Sequence, residues 1–108
     1  MKATKLVLAM TALFALVVPT LMAGTAEDAT ALFKSKCAMC HGPDGSGDTT
    51  MGKKLKIRDL RSDDVQKQTD EQLIEIITKG KNKMPSYDGK IPAESMKSLV
   101  TVIRSFKK

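Results

Sequence analysis

Cys37-Ala38-Met39-Cys40-His41 decides how this chain is read, because that run contains both of its cysteines and its single histidine. A Cys-x-x-Cys-His sequence is the signature of covalent c-type haem attachment. On a helix the three-residue step puts the two thiols on one face, roughly 4.5 Å apart along the axis. There they can add to the two vinyl groups of one porphyrin, and His41 can set an imidazole nitrogen on the iron.

Three other readings of the same residues are weaker. A thioredoxin-like dithiol needs a strand-then-helix context, whereas the residues before Cys37 have helical spacing and nothing suggests a parallel sheet. Structural zinc needs four ligands, and the run offers three. A Cys37–Cys40 disulfide would close too small a loop to constrain the unfolded chain much.

Upstream, Lys2 and Lys5 precede an apolar stretch from Leu6 to Val18, then Pro19 and a series of small residues. That order is the order of a secretory signal peptide, with cleavage expected near Ala23 or Ala26, and the run is short for a membrane span. The alternative is a retained anchor from Leu6 to Ala23. Both place the remaining domain outside the cytoplasm, which suits thiols bound for thioether bonds, and a bacterial periplasm is the expected compartment. The organisation is therefore a leader over 1–26 and one domain over 27–108.

That domain is small, about 82 to 85 residues, and lacks tryptophan; its large rings are Phe33, Tyr87 and Phe106. Domains of this size usually need a staple, a metal or a cofactor, and a covalently held porphyrin supplies apolar surface for helices to fold around. The spacing is helical throughout, with no strand alternation and no internal repeat. The expected fold is all-α, three to five helices around one covalently bound haem.

The first helix is expected from Thr25 or Ala26, with Glu27 and Asp28 in its first turn and Ala29, Leu32, Phe33 and Cys37 along one side. A turn-rich loop follows over Gly42, Pro43, Asp44, Gly45, Ser46, Gly47 and Asp48. From Thr49 to Gln68 the pattern weakens: Leu55, Ile57, Leu60 and Val65 are the buried candidates, with a short helix at Ser62, Asp63 and Asp64. Thr69 and Gln72 have capping-box spacing and open a helix carrying Leu73, Ile76 and Ile77 that stops at Gly80. The last helix is expected to begin at Pro92 as its first residue, with Met96, Leu99, Val100, Ile103 and Phe106 on its buried face and Arg104, Lys107 and Lys108 at its C-terminal end.

With one histidine in the chain, the sixth iron position falls to another side chain, to water or to an external ligand. Beyond the leader the methionines are Met39, Met51, Met84 and Met96. Met39 lies inside the attachment run and cannot reach the opposite haem face, and Met96 belongs to the apolar stripe of the last helix. Met84, before Pro85 and therefore in extended backbone, is the stronger candidate, and Met51 the weaker. A thioether opposite an imidazole gives a saturated, low-spin iron with a raised reduction potential.

Taken together, Cys37 to His41, the glycine-rich loop from Gly42 to Gly47, the Met84, Pro85 and Tyr87 segment, and the final helix from Leu99 to Phe106 resemble a class I cytochrome c of the small bacterial monohaem kind. The resemblance spans nearly the whole domain. It implies that the first and last helices cross near Cys37, where the family's glycine position holds Ala29 and its aromatic position holds Val102. It further implies haem c as cofactor, with Cys37, Cys40, His41 and Met84 binding it and His41 and Met84 as the metal ligands.

A haem closed on both faces leaves outer-sphere electron transfer rather than peroxidase, oxygenase or gas-binding chemistry, so the expected role is a carrier and not an enzyme. A labile sixth ligand would instead allow a haem-based sensor or weak peroxidase, and a retained leader would make a tethered haem subunit of a respiratory complex. The formal net charge is +6; without Lys2 and Lys5, 16 basic face 12 acidic side chains. Lys53, Lys54 and Lys56 form one cluster, and Lys79, Lys81, Lys83 and Lys90 flank Met84. Such lysines suit acidic docking surfaces on redox proteins as well as a solvated face; no aromatic–basic interleaving suggests nucleic acid. The membrane is a partner only for a retained leader, and a monomer is expected. Arg58 and Tyr87 are candidate partners for the haem propionates, Arg58 more simply an exposed loop residue and Tyr87 equally a packing ring.

Overall fold

A computed structural model describes residues 11–17 and 26–108. The basic start at Lys2 and Lys5, the break at Pro19, the cleavage position near Ala23 and the helix start at Thr25 lie outside the described residues. Residues 11–17 carry no regular structure, and Leu13, Phe14, Leu16 and Val17 are exposed. Among the described residues no helix is long and apolar enough to cross a membrane.

The described residues form six helical segments and no strand: α1 (Ala26–Lys36), α2 (Ala38–His41), α3 (Thr50–Leu55), α4 (Asp63–Gln66), α5 (Asp70–Lys79) and α6 (Ala93–Ser105). Cys37 alone separates α1 from α2, so the two behave as one interrupted helix and the count reaches five, the upper end of the expected range.

The core is the crossing of α1 and α6. Phe33 from α1 and Leu99 from α6 are its two fully buried large side chains. Burying each removes enough apolar surface to contribute about 1.5–3 kcal/mol. Ala29 and Val102 are also buried, a small residue with a branched one, and Phe106 meets Phe33 edge to face with ring centroids 5.1 Å apart. Ala29 and Val102, at the positions the resemblance implied for the crossing, thus both lie in the core between α1 and α6. Leu73 and Ile77 of α5, Val65 of α4, and Leu60 and Ile91 from the connections close the rest.

The boundaries follow local chemistry. Thr69 accepts from the Gln72 backbone N–H while the Gln72 side chain accepts from the Thr69 N–H, a complete capping box. Gly80, at φ 76°, ends α5. The short helix expected from Ser62 begins one residue later, at Asp63, with Ser62 in the N-cap position and no capping bond from its side chain. Pro92 corrects the expected start of the last helix: its ψ of 147° is extended, which makes it the N-cap, and α6 begins at Ala93.

Arg104 has a larger role than the charge at a helix end assigned to it from sequence. Its guanidinium donates to the carbonyls of Gln66 at 2.7 Å and Gln68 at 2.5 Å and to Asp70 at 2.8 Å. Gln66 in turn donates to the carbonyls of Leu60 and Ile103. Those bonds hold the connections around α4 onto α6, where few apolar side chains are available to do so.

Candidate functional site

The helix break at Cys37 organises everything around it. Cys37 still donates its N–H to the Phe33 carbonyl at 2.8 Å, as a continuing helix would. One turn later Cys40 and His41 both donate to the Cys37 carbonyl. With the Cys40 N–H turned to Cys37, the Lys36 carbonyl loses its ordinary helical donor. The Tyr87 hydroxyl supplies one, donating to it at 3.0 Å across 51 positions of sequence.

Behind the motif, the glycine-rich loop fastens its backbone. Gly42, Gly45 and Gly47 all have positive φ, between 74° and 79°, a region open to glycine at little cost. Through these turns Gly47 donates to the His41 carbonyl at 2.7 Å. Gly45 comes so close to the C-terminal end of α6 that a Cβ would sit 2.6 Å from the Phe106 ring. Thr49 then donates its hydroxyl to the Cys40 carbonyl at 2.8 Å and accepts from the Gly52 N–H at 2.8 Å, so it caps α3 and ties it to the motif at once.

Helix α3 was missing from the sequence reading, which found only weak periodicity there. It lies backbone to backbone against the motif: a Cβ on Gly52 would be 2.6 Å from the Cys40 carbonyl oxygen and closer still to that of Gly47. Leu55 and Ile57 are only half-buried, while Leu60 and Val65 are buried as expected. The available signals were Thr49 as a cap and Gly52 three residues on, but a close backbone approach has no hydrophobic signature to find.

The side chains of the motif differ in environment. Cys37 and Cys40 are free thiols, both half-buried. Burial, and then the neighbouring Cys40, push the Cys37 thiol up to about 11. A dithiol redox centre needs the opposite, a thiol whose pKa is depressed toward neutrality. His41 Nδ1 is buried with no hydrogen-bond partner, and burial holds the imidazole below its ordinary pKa. It is therefore a neutral ring with a lone pair to give. Among the described residues no group of three or more His, Cys, Asp and Glu side chains is placed to hold a metal ion, which a zinc site would require.

Met84 lies in the return arm of a tight turn rather than in a simple extended run. Lys81 and Met84 exchange backbone hydrogen bonds at 3.2 and 2.9 Å, with Asn82 between them at φ 54°. The chain then doubles back on the end of α5: the Ser86 hydroxyl and the Asp88 N–H donate to the Thr78 carbonyl, and the Tyr87 N–H donates to that of Ile77. Met84 and Tyr87 are half-buried against the same core that Cys37 and Ala38 touch. Burial, then Cys37 and Cys40, raise the Tyr87 phenol pKa, so the ring lies within electrostatic reach of both thiols.

The remaining methionines are placed elsewhere. Met96 is buried, and its sulfur accepts from the Thr78 hydroxyl at 3.0 Å. Met39 is 74% exposed and Met51, on α3, 36%. Tyr87 has its hydroxyl on Lys36 instead of free for a propionate, and Arg58 is exposed. Lys79 is paired with Glu75 at 2.8 Å and Lys53 with Asp48 at 2.9 Å. Both lysine clusters on either side of the site therefore carry less free charge than their sequence suggests.

The donor set fits a covalently held haem: two free thiols one helical turn apart, a half-buried imidazole beside them whose Nδ1 is buried without a hydrogen-bond partner, and a thioether on a segment fastened to the end of α1. The comparisons agree. The family model described as "Cytochrome C oxidase, cbb3-type, subunit III" matches residues 24–102. Among solved structures, one titled "KustC0563 c-type cytochrome" is 36% identical, with a TM-score of 0.69, covering 74% of this chain and 98% of that one. A second, of a point mutant of Kustc0563, is 38% identical with a TM-score of 0.67, covering 74% and 99%. No curated protein matches the chain. The chain belongs to the matched family and is a monohaem c-type cytochrome, a helical domain that carries covalently bound haem c.

Proposed function

We propose that this cytochrome is an exported single-electron carrier, with Cys37 and Cys40 as the thioether donors and His41 and Met84 as the two axial ligands. When bound, haem c supplies a one-electron couple whose potential a methionine ligand raises. The observation that carries the reading is the placement of the strap from Gly80 to Ile91. Through Tyr87 it fastens to the helix end where the attachment run begins and carries a half-buried Met84 packed on the core, while Met96 is engaged by Thr78, and Met39 and, less so, Met51 are exposed.

If His41 and Met84 both hold the iron, the haem would have no coordination position left for a substrate, and the chemistry it would supply is electron exchange with a partner. The chain's residues hold the same two ligands in both oxidation states, which keeps reorganisation small. Lys81, Lys83 and Lys90, which form no ion pair among the described residues, are exposed and suit an acidic surface on a donor or acceptor, with association that weakens as salt rises.

Replacing Met84 tests the ligand assignment. The Met84→Ala holoprotein is expected to lose the sulfur-to-iron charge-transfer band of its ferric form. Its reduction potential should fall by a sizeable part of the roughly 0.8 V that axial ligands span. If Met51→Ala removes the band and Met84→Ala does not, Met51 is the ligand and the assignment is wrong.

A second reading is favoured by the matched family, whose description names a subunit of an oxidase. In it the anchor from Leu6 to Ala23 stays attached and tethers the domain to a membrane-bound redox complex. Intact mass and fractionation of the exported protein separate the two. A chain beginning after Ala23 or Ala26 and released with the soluble fraction supports the free carrier, whereas one keeping Lys2 and sedimenting with membranes supports the tether.

A further inference from the structure

Tyr87 is the point at which three parts of the fold meet. Its N–H is held by Ile77 at the end of α5, its carbonyl accepts from Lys90 and Ile91, and its hydroxyl reaches Lys36, the last residue of α1 before Cys37. The first two sets of bonds keep the strap on α5 and in its own turn. The hydroxyl links the strap to the helix that carries the attachment run.

That acceptor is supplied by the site itself. The Lys36 carbonyl is free of a helical donor because the chain breaks at Cys37, so the bond forms at the junction where the motif starts. The strap runs between the glycines at 80 and 89, whose φ of 76° and 71° are conformations that glycine adopts at little cost. Pro85 and Ser86, beside Met84, are exposed, and apolar packing alone does not clamp this arm.

We propose that Tyr87 is a positioning residue for the sixth ligand: its hydroxyl bond to Lys36 sets the distance between the Met84 arm and the attachment helix and so governs how firmly Met84 resists displacement. This rests on the assignment of Met84 as ligand. Without the hydroxyl the Lys36 carbonyl loses its partner, and the arm keeps its bonds to α5, its own turn and its partial packing on the core, but no hydrogen bond to the attachment helix. An external nitrogen base then competes more easily: the iron–sulfur bond breaks, an iron–nitrogen bond forms, and the oxidation state does not change.

The test is a titration of the ferric holoprotein with imidazole, followed by the shift of the main haem absorption band, in wild type, Tyr87→Phe, Met84→Ala, the Met84→Ala/Tyr87→Phe pair and Val65→Ala. Tyr87→Phe is expected to bind imidazole about fivefold more tightly than wild type, the effect of one lost hydrogen bond of ordinary strength. Adding Tyr87→Phe to Met84→Ala is expected to change the affinity by less than about twofold, since the arm then has no ligand to hold. Val65→Ala, a cavity in the core beneath α4, lowers global stability and is expected to leave the affinity unchanged.

Equal imidazole affinity in wild type and Tyr87→Phe, or an equal gain in Val65→Ala, would overturn the inference while leaving the ligand in place. A Met84→Ala protein whose spectrum and imidazole affinity match wild type would instead remove the ligand assignment, and the inference with it. Loss of haem from Tyr87→Phe at neutral pH counts against it as well, because a positioning bond leaves both thioethers intact.

Discussion

A chain carrying Cys37→Ala and Cys40→Ala together is expected to mature without covalent haem and to show no cooperative thermal transition by helical circular dichroism. The reason lies in what the polypeptide can bury alone. Its two fully buried large side chains are Phe33 and Leu99, the remaining core is medium-sized aliphatics, and both cysteines are free, so no disulfide staples the described residues. Three of the six helical segments have four to six residues, far below the length at which a helix persists without tertiary support. A domain this small with a core this thin needs an added apolar body. A haem-free double variant that melts cooperatively with full helical ellipticity would show that the polypeptide folds on its own core.

Gly52→Ala should cost the holoprotein about 3 kcal/mol or more, measured as a shift of the denaturant midpoint. Glycine to alanine inside a helix ordinarily stabilises by about 0.5–1 kcal/mol, so the sign alone distinguishes the explanations. At Gly52 the added methyl would meet the Cys40 and Gly47 carbonyl oxygens, which accept hydrogen bonds from the Thr49 hydroxyl and the Thr49 N–H. Neither can move without displacing the attachment run or the turn behind His41, and overpacking against backbone is not relieved by a rotamer change. A variant as stable as wild type would mean that α3 does not sit as closely on the motif as the structure has it.

Much of this architecture was legible in the amino-acid sequence, and the reasons are specific. The attachment run announces itself because its chemistry requires both cysteines and the histidine at one spacing. The capping box at Thr69 and Gln72, the stop at Gly80 and the stripe on α6 were readable because each satisfies backbone groups or buries a face by purely local rules. Met96 was assigned to the core from its place in that stripe, and its sulfur is engaged there by Thr78.

What escaped the sequence is tertiary. Helix α3 exists because Thr49 caps it and Gly52 lets it lie on the motif backbone, and neither residue leaves a periodic trace. The turn from Lys81 to Met84 replaced the extended run expected ahead of Pro85 because Gly80 and Asn82 adopt positive φ. The Tyr87 hydroxyl found a carbonyl released by a helix break far away in sequence, at Cys37, which only the folded chain could pair with it. Arg104, taken for a charge at a helix end, instead collects two carbonyls and a carboxylate from the preceding connection.

The account depends on haem bound through Cys37 and Cys40, and the intact mass of the chain matured in its own compartment and then denatured tests that most directly. It predicts the polypeptide plus one haem, with the added mass retained after unfolding and lost in the double cysteine variant. The bare polypeptide mass, or a haem that separates on unfolding, would contradict it.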